Sequence, residues 1–379
     1  MIYLDNSATT KPHKEIIESF QQVTTRFFGN PSSIHQFGGD AERLLLKAKE
    51  QAAQLLEVAE NEVFFTSGGT EGNNLAIKGI AFEHQNRGKH IITTEIEHPS
   101  VYDACKSLET FGFEITYLPV NEAGVISLHD LEAAIREDTI LVSVMHVNNE
   151  IGSIQPIEEI GHICSQYPKL YFHVDDVQGF GKVPLNLERA KVDLCTISGH
   201  KFHGLKGTGI LVKRNHISLH PLFHGGEQQA GIRSGTENLA GIVAMVKAMR
   251  LIKERETDER STLRHLYMQL REGLQEVEGV FMNSPENGAP HIVNISVPGL
   301  KPEVMIHTLG QKNIFISTKS ACSSKQLDES RIIKACGFSL ERSQSALRIS
   351  LSYDNTNEEI SEFLDIFKKA MNELKKVMR

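Results

Sequence analysis

Apolar residues along the chain fall into short continuous runs, and between the runs they recur at helical spacing. Residues 63–66, 90–94, 115–118, 140–146, 170–174, 194–198 and 209–213 predict strands. Several are apolar throughout, as in a sheet covered on both faces. Residues 14–26 predict a helix, and so do 41–56, where Leu44, Leu45, Ala48, Ala52, Leu55 and Leu56 keep the helical period. A further helical stretch covers 75–80. Strand and helix alternate, which predicts an α/β fold built on a mostly parallel sheet. Polar residues collect just after the strand ends: Glu97 and His98, Asn148 to Glu150, Asp175 and Gln178. In open α/β sheets that edge is where ligands sit.

The pattern changes after Phe223. A Gly-rich polar loop, 224–236, leads into a helical stripe of Ile242, Met245, Met249 and Ile252. The charge-rich stretch 253–260 follows, then a second stripe at Leu263, Leu266, Leu270 and Leu274. We place the domain boundary in the charged stretch, although a solvated helix face would read the same. A large domain is expected over 14–255 and a smaller α+β domain over 1–13 and 256–379. The smaller domain reads as strands at 292–297, 314–317 and 346–351, with helices at 303–310 and 358–378. A Ser-rich loop, 317–324, carries Cys322.

Composition narrows the function. Of 379 residues, 40% are hydrophobic and 23% charged, which is ordinary for a globular protein. A net charge of −8 gives no reason to expect nucleic acid as a ligand. No apolar run is long enough to span a bilayer. The N-terminus runs straight into strand-like sequence, so no signal peptide is expected. The five cysteines are an odd number and form no C-x-x-C pair, which favours a reducing cytoplasm over a disulfide framework.

Two stretches carry candidate chemistry. Strand 63–66 runs into the Gly-rich segment 67–74 and then a helix. Free backbone N–H groups and a positive helix end can cradle a phosphate there, although a plain strand-to-helix turn would look alike. It is neither a Walker A loop nor a G-x-G-x-x-G fingerprint, so a nucleotide is not favoured. In 198–204, Lys201 follows a strand end with no acidic neighbour in sequence. An amine in that setting can act as a nucleophile toward a carbonyl. Alone it would pass for a surface lysine. With Asp175 to hold a proton on a pyridine nitrogen and His98 to stack on a flat ring, the set matches the needs of pyridoxal 5′-phosphate. His200 and His203 suggest a metal, but no third ligand lies near them in sequence.

These motifs closely resemble those of the cysteine desulfurases of the NifS/IscS kind, within the class V aminotransferase group. The matching stretches are 3–10, 29–33, 66–72, 97–98, 146–152, 173–175, 198–201, 233–236, 320–322 and 347–350, so the likeness covers essentially the whole chain. The resemblance implies a fold-type I pyridoxal-phosphate enzyme, a homodimer in the cytoplasm. It implies that Lys201 carries the cofactor, Asp175 pairs with the ring nitrogen and Gln178 bonds the phenolic oxygen. His98 would stack on the ring and help move protons, and Asn149 would lie close by. Gly69, Thr70, Ser198 and His200 would hold the phosphate, with Thr236 reaching it from a partner subunit. Arg348 and Asn30 would take the substrate carboxylate. Cys322 would accept the sulfur of L-cysteine as a persulfide, release L-alanine, and pass the sulfur to acceptor proteins. A selenocysteine lyase, another class V enzyme and a non-catalytic sulfur-carrier scaffold are the alternatives. Two positions depart from the pattern. Asp176 adds a second acid beside Asp175, and Lys319 stands where glycine is usual.

Overall fold

The computed structural model describes residues 1–318 and 329–377. Seven strands form the main sheet: β2 (Val63–Thr66), β3 (His90–Thr94), β4 (Glu114–Leu118), β5 (Thr139–Met145), β6 (Tyr171–Asp175), β7 (Leu194–Ser198) and β8 (Gly209–Lys213). Their order is β2-β8-β7-β6-β5-β3-β4, and β8 alone runs against the others. Phe64, Ile91, Leu141 and Leu211 are buried on one face, and Phe65, Ile92, Val142 and Val212 on the other. That is why these strands read as continuous apolar runs rather than as alternation.

Helices α1 (Lys14–Arg26) and α2 (Gln36–Leu56) pack with the helix Leu239–Asp258 against one face. Helices α3 (Gly69–His84) and α4 (Pro99–Glu109) pack together against the other. Two of these differ from the sequence expectation. α2 begins five residues before the expected start, because Gly38 lies against Ser33, where a Cβ would meet the carbonyl oxygen at 2.0 Å. α3 begins at Gly69 and absorbs the Gly-rich segment. Its Gly72 lets the helix lie on β7, where a Cβ would stand 2.7 Å from Thr196. These glycines serve close approach, not a turn.

The remaining strands are short. β1 (Ile2–Tyr3) pairs in parallel with β11 (Ile314–Phe315). β9 (Phe281–Met282), β10 (Ile292–Ser296) and β12 (Ala346–Ser350) form an antiparallel sheet. From β1 the chain passes beside β12 through the Asp5–Ser350 bridge and then crosses to the main sheet, where Thr10 N–H donates to the His200 carbonyl at 2.9 Å. The charged stretch 253–260 holds a helix junction at Glu259, between Leu239–Asp258 and Arg260–Gln275. The expected boundary at 255 therefore falls in the last turn of a helix. Five further helices were not named from the sequence: α4, Leu128–Ala134, Ile157–Cys164, Arg331–Ala335 and Leu340–Gln344. α4 was legible in principle, since Val101, Ala104, Cys105 and Leu108 keep the helical period.

Candidate active site

Five strands of the main sheet, β2, β3, β5, β6 and β7, deliver polar residues to one cavity of about 150 Å³ at their C-terminal ends. Its walls include Gly69, Thr70, His98, Asn149, Asp175, Gln178, Ser198, His200, Lys201 and Arg348. Ten of the sequence candidates therefore meet in one place. α3 opens onto the cavity, and the first turn of a helix has N–H groups without intrahelical partners. Gly68 precedes it at φ 149°, a conformation that glycine adopts without strain.

Lys201 sits in a one-turn helix, Gly199–Lys201, just after β7. Its Nζ donates to the carbonyls of Ser7 at 2.5 Å and Ala8 at 2.9 Å. The turn is clasped from both sides. Thr9 Oγ1 lies 3.1 Å from His200 Nδ1, and the buried Lys182 ammonium donates to the Lys201 carbonyl at 2.9 Å. Asp175 ends β6, fully enclosed. Its oxygens accept from the Val177 N–H at 3.0 Å and from Asn73 Nδ2 at 2.7 Å. Burial raises its pKa to about 6, against the pull of those donors. Near neutral pH it is largely ionised and suited to share a proton with a basic ring nitrogen. Gln178 donates one amide hydrogen to the Ser7 carbonyl at 2.9 Å, and its Oε1 is buried without a partner.

His98 caps α4 and faces the cavity. Burial, then the charges of Lys201 and Arg331, lower its pKa to about 4. Burial and Lys201 likewise hold His200 at about 3. Both imidazoles are therefore neutral at physiological pH. Beside His98, the buried Glu97 is pushed up to about 8 by burial and accepts from Thr94 Oγ1 at 2.7 Å.

Arg348 is buried on β12 and reaches the cavity with its guanidinium already engaged. Nη1 donates to the Asn149 carbonyl at 2.8 Å and Nη2 to Asp5 Oδ1 at 2.9 Å. Its Nε is buried without a partner. An orphaned donor on a planar fork is a costly arrangement that an incoming carboxylate would relieve.

Two described candidates lie apart. Asn30 is exposed in the loop before α2, where its Oδ1 accepts from the Ser32 N–H at 2.9 Å. Thr236 is exposed beyond the Gly-rich loop and is not part of the cavity wall. Cys322 and Lys319 lie outside the described residues. Asp176 turns away from the cavity, and its Oδ1 is 2.6 Å from His146 Nδ1. It is not a second acid at the ring-nitrogen site. His203 stacks on His13 at 4.2 Å between ring centroids, and both approach Asp354, which Arg255 also pairs.

Sequence reasoning missed four groups at the site: Asn73, Ser100, Asp5 and the carbonyls of Ser7 and Ala8. Asn73 was legible in principle. It lies four residues after Gly69, on the same helix face. The other three depend on contacts made across the fold.

The residues fit pyridoxal 5′-phosphate. Among the described residues, a helix N-terminus, a buried carboxylate with an elevated pKa and the amine of Lys201 line the cavity. The model for aminotransferase class-V matches residues 2–363, and the chain belongs to that family. One relative, cysteine desulfurase IscS from Methanosarcina thermophila, is 43% identical over 375 residues, with 99% of this chain and 93% of the relative covered. Among solved structures, a NifS-like protein superposes with a TM-score of 0.92 at 36% identity, covering 98% of this chain and 99% of that one. The structure of SspA in complex with cysteine gives a TM-score of 0.82 at 33% identity, covering 93% and 99%. The fold is that of the fold-type I pyridoxal-phosphate enzymes, and pyridoxal 5′-phosphate is the cofactor.

Proposed function

We propose that this chain is a pyridoxal-phosphate-dependent cysteine desulfurase. It converts L-cysteine to L-alanine and passes the sulfur through Cys322 to acceptor proteins, in iron–sulfur cluster, thiolated-tRNA or cofactor pathways. The observation that carries the reading is the convergence of Lys201, Asp175, His98 and Arg348 on one cavity, in a chain whose relatives include cysteine desulfurases. When bound, the cofactor supplies an electron sink for the α carbon of an amino acid.

The side chains divide the remaining work. Lys201 would hold the cofactor and carry protons at Nζ. Asp175 would keep a proton on the ring nitrogen, and Gln178 has an amide hydrogen to spare for the phenolic oxygen. The first turn of α3, with Ser198 and His200, would take the phosphate. Arg348 orients the substrate carboxylate. As a thiolate, Cys322 attacks the substrate sulfur: the carbon–sulfur bond breaks with its electron pair left on carbon, and a sulfur–sulfur bond forms. Single-turnover assays with L-cysteine and with L-selenocysteine test the reading. Alanine from L-cysteine in the presence of a thiol acceptor supports it. Turnover of L-selenocysteine alone would make the chain a selenocysteine lyase.

Arg348→Lys keeps the charge but loses the planar fork. It should weaken L-cysteine binding by about 1.5–3 kcal/mol, the range for a charged hydrogen bond. Steady-state kinetics would show this mainly in KM, and an unchanged KM would leave Arg348 a structural role through Asp5 and the Asn149 carbonyl.

The active form is a homodimer in the cytoplasm. Asn30 and Thr236 are exposed on their own chain, and the large apolar side chains Phe28, Ile34, Phe37 and Phe223 are exposed near them. A second copy seated there would cover the apolar residues and bring both polar ones to a neighbouring cavity. Light scattering should give twice the chain mass at assay concentration, and an active monomer would refute the shared site. The four described cysteines are free, as in a reducing compartment, and no helix among the described residues is long and apolar enough to cross a membrane. Residues 14–255 form the cofactor-binding domain, with 1–13 and 256–379 as the smaller one.

A further inference from the structure

His98 is held by a line of hydrogen bonds whose direction has only one solution. The backbone N–H of Ser100 lies 3.2 Å from His98 Nδ1. A backbone N–H can only donate, so Nδ1 carries no proton. The Ser100 hydroxyl, 2.8 Å from the same nitrogen, must therefore donate to it as well. Having spent its hydrogen, Ser100 Oγ is left to accept, and Asn73 Nδ2 donates to it at 2.9 Å. The other hydrogen of Asn73 Nδ2 goes to Asp175 Oδ2 at 2.7 Å, where only a donor is tolerated beside a carboxylate. Asn73, Ser100 and Asp175 are all buried, so water does not compete along the line. His98 Nε2 has no partner among the described residues, and it is the ring nitrogen left for the proton.

We propose that Ser100 is a positioning residue that locks His98 as its Nε2-protonated tautomer, and that Asn73 ties this lock to the carboxylate of Asp175. The proposal rests on the cavity being the pyridoxal-phosphate site. It fixes the role of the neutral ring: His98 presents Nε2–H to the cavity as a hydrogen-bond donor, while Nδ1 is closed to protons by its two donors. It also couples His98 to Asp175, since the amide that bonds Asp175 is the one that bonds the Ser100 hydroxyl. The neutral imidazole that burial enforces is what makes the choice of tautomer matter.

The tautomer can be read without catalysis. Holoprotein labelled with 15N-histidine should show, by solid-state NMR at neutral pH, a pyridine-type Nδ1 and a pyrrole-type Nε2 for His98. The pair is assigned by its loss in His98→Gln. Ser100→Ala removes the shorter of the two donors on Nδ1 and leaves only the backbone N–H at 3.2 Å. The Nδ1-protonated tautomer should then become detectable, the cofactor should stay bound, and kcat for alanine formation should fall about tenfold, with KM for L-cysteine changed less than about twofold. A loss of that size is what one misdirected hydrogen bond at the reacting centre would cost. Ser100→Thr, which keeps the hydroxyl, should restore both the spectrum and kcat. A protonated Nδ1 in the parent protein would overturn the proposal, and so would an unchanged spectrum and kcat in Ser100→Ala. The parent spectrum decides the tautomer even where Ser100→Ala fails to fold. A parent protein that makes no alanine would sink the desulfurase reading and leave the tautomer result standing.

Discussion

Lys201→Ala is expected to leave a folded protein that no longer retains pyridoxal phosphate covalently. After borohydride reduction and dialysis, the parent should carry the cofactor on a single peptide containing Lys201, and the variant should carry none. Turnover should fall on the order of 10³-fold or more, because the amine acts both as nucleophile and as proton carrier, and proton transfer alone contributes roughly 10²–10⁴-fold. The fold should survive. The substitution removes two hydrogen bonds, to Ser7 and Ala8, each worth about 0.5–1.5 kcal/mol. Among the described residues the rival amine is Lys182, whose pKa burial lowers to about 8. A lowered pKa is the mark of a reactive lysine, yet Lys182 is buried under the turn, bonds the Lys201 carbonyl, and is not part of the cavity wall. A reduced adduct mapped to Lys182 would overturn the assignment.

Cys322→Ser is expected to abolish both alanine formation and the protein persulfide while the cofactor and L-cysteine still bind. Serine keeps the size of the side chain but offers a hydroxyl that stays protonated, and the nucleophile this step needs is a thiolate. The cavity groups that hold cofactor and substrate are untouched by the change. The other four cysteines are poor substitutes. All are buried, and burial raises Cys164 and Cys336 to about 12 and pushes Cys105 and Cys195 well up. The checks are a single-turnover assay for alanine and mass spectrometry of the protein after exposure to L-cysteine. Extra sulfur on any of those four, or alanine at the parent rate from Cys322→Ser, would refute the mechanism.

The strands and their end-residues were legible in the sequence because a sheet covered on both faces leaves an unbroken apolar run in each strand. The polar residues that end β3, β5, β6 and β7 therefore stand out as the ligand edge, and Lys201, Asp175 and His98 could be named from it. Helix starts were less legible. Gly69 and Gly72 read as a turn because their role, room for β7, depends on a neighbour more than 100 residues away in sequence.

Tertiary structure alone decided how the side chains are spent. Asp176 is adjacent to Asp175, but successive side chains point to opposite sides of an extended chain, so one lines the cavity and the other meets His146. Arg348 read as a carboxylate clamp, and the fold pairs it with Asp5 because the chain just after β1 bridges to β12 at Asp5–Ser350. Asn73 shares a helix face with Gly69, but nothing local joins it to Ser100, since a hydrogen-bond line between two helices and a strand leaves no period in any one of them. Sequence by itself determined the sheet, the edge that binds, and the residue types available there. The fold determined which donors are committed and which remain for a ligand, because hydrogen-bond satisfaction is a property of buried neighbours and not of chain order.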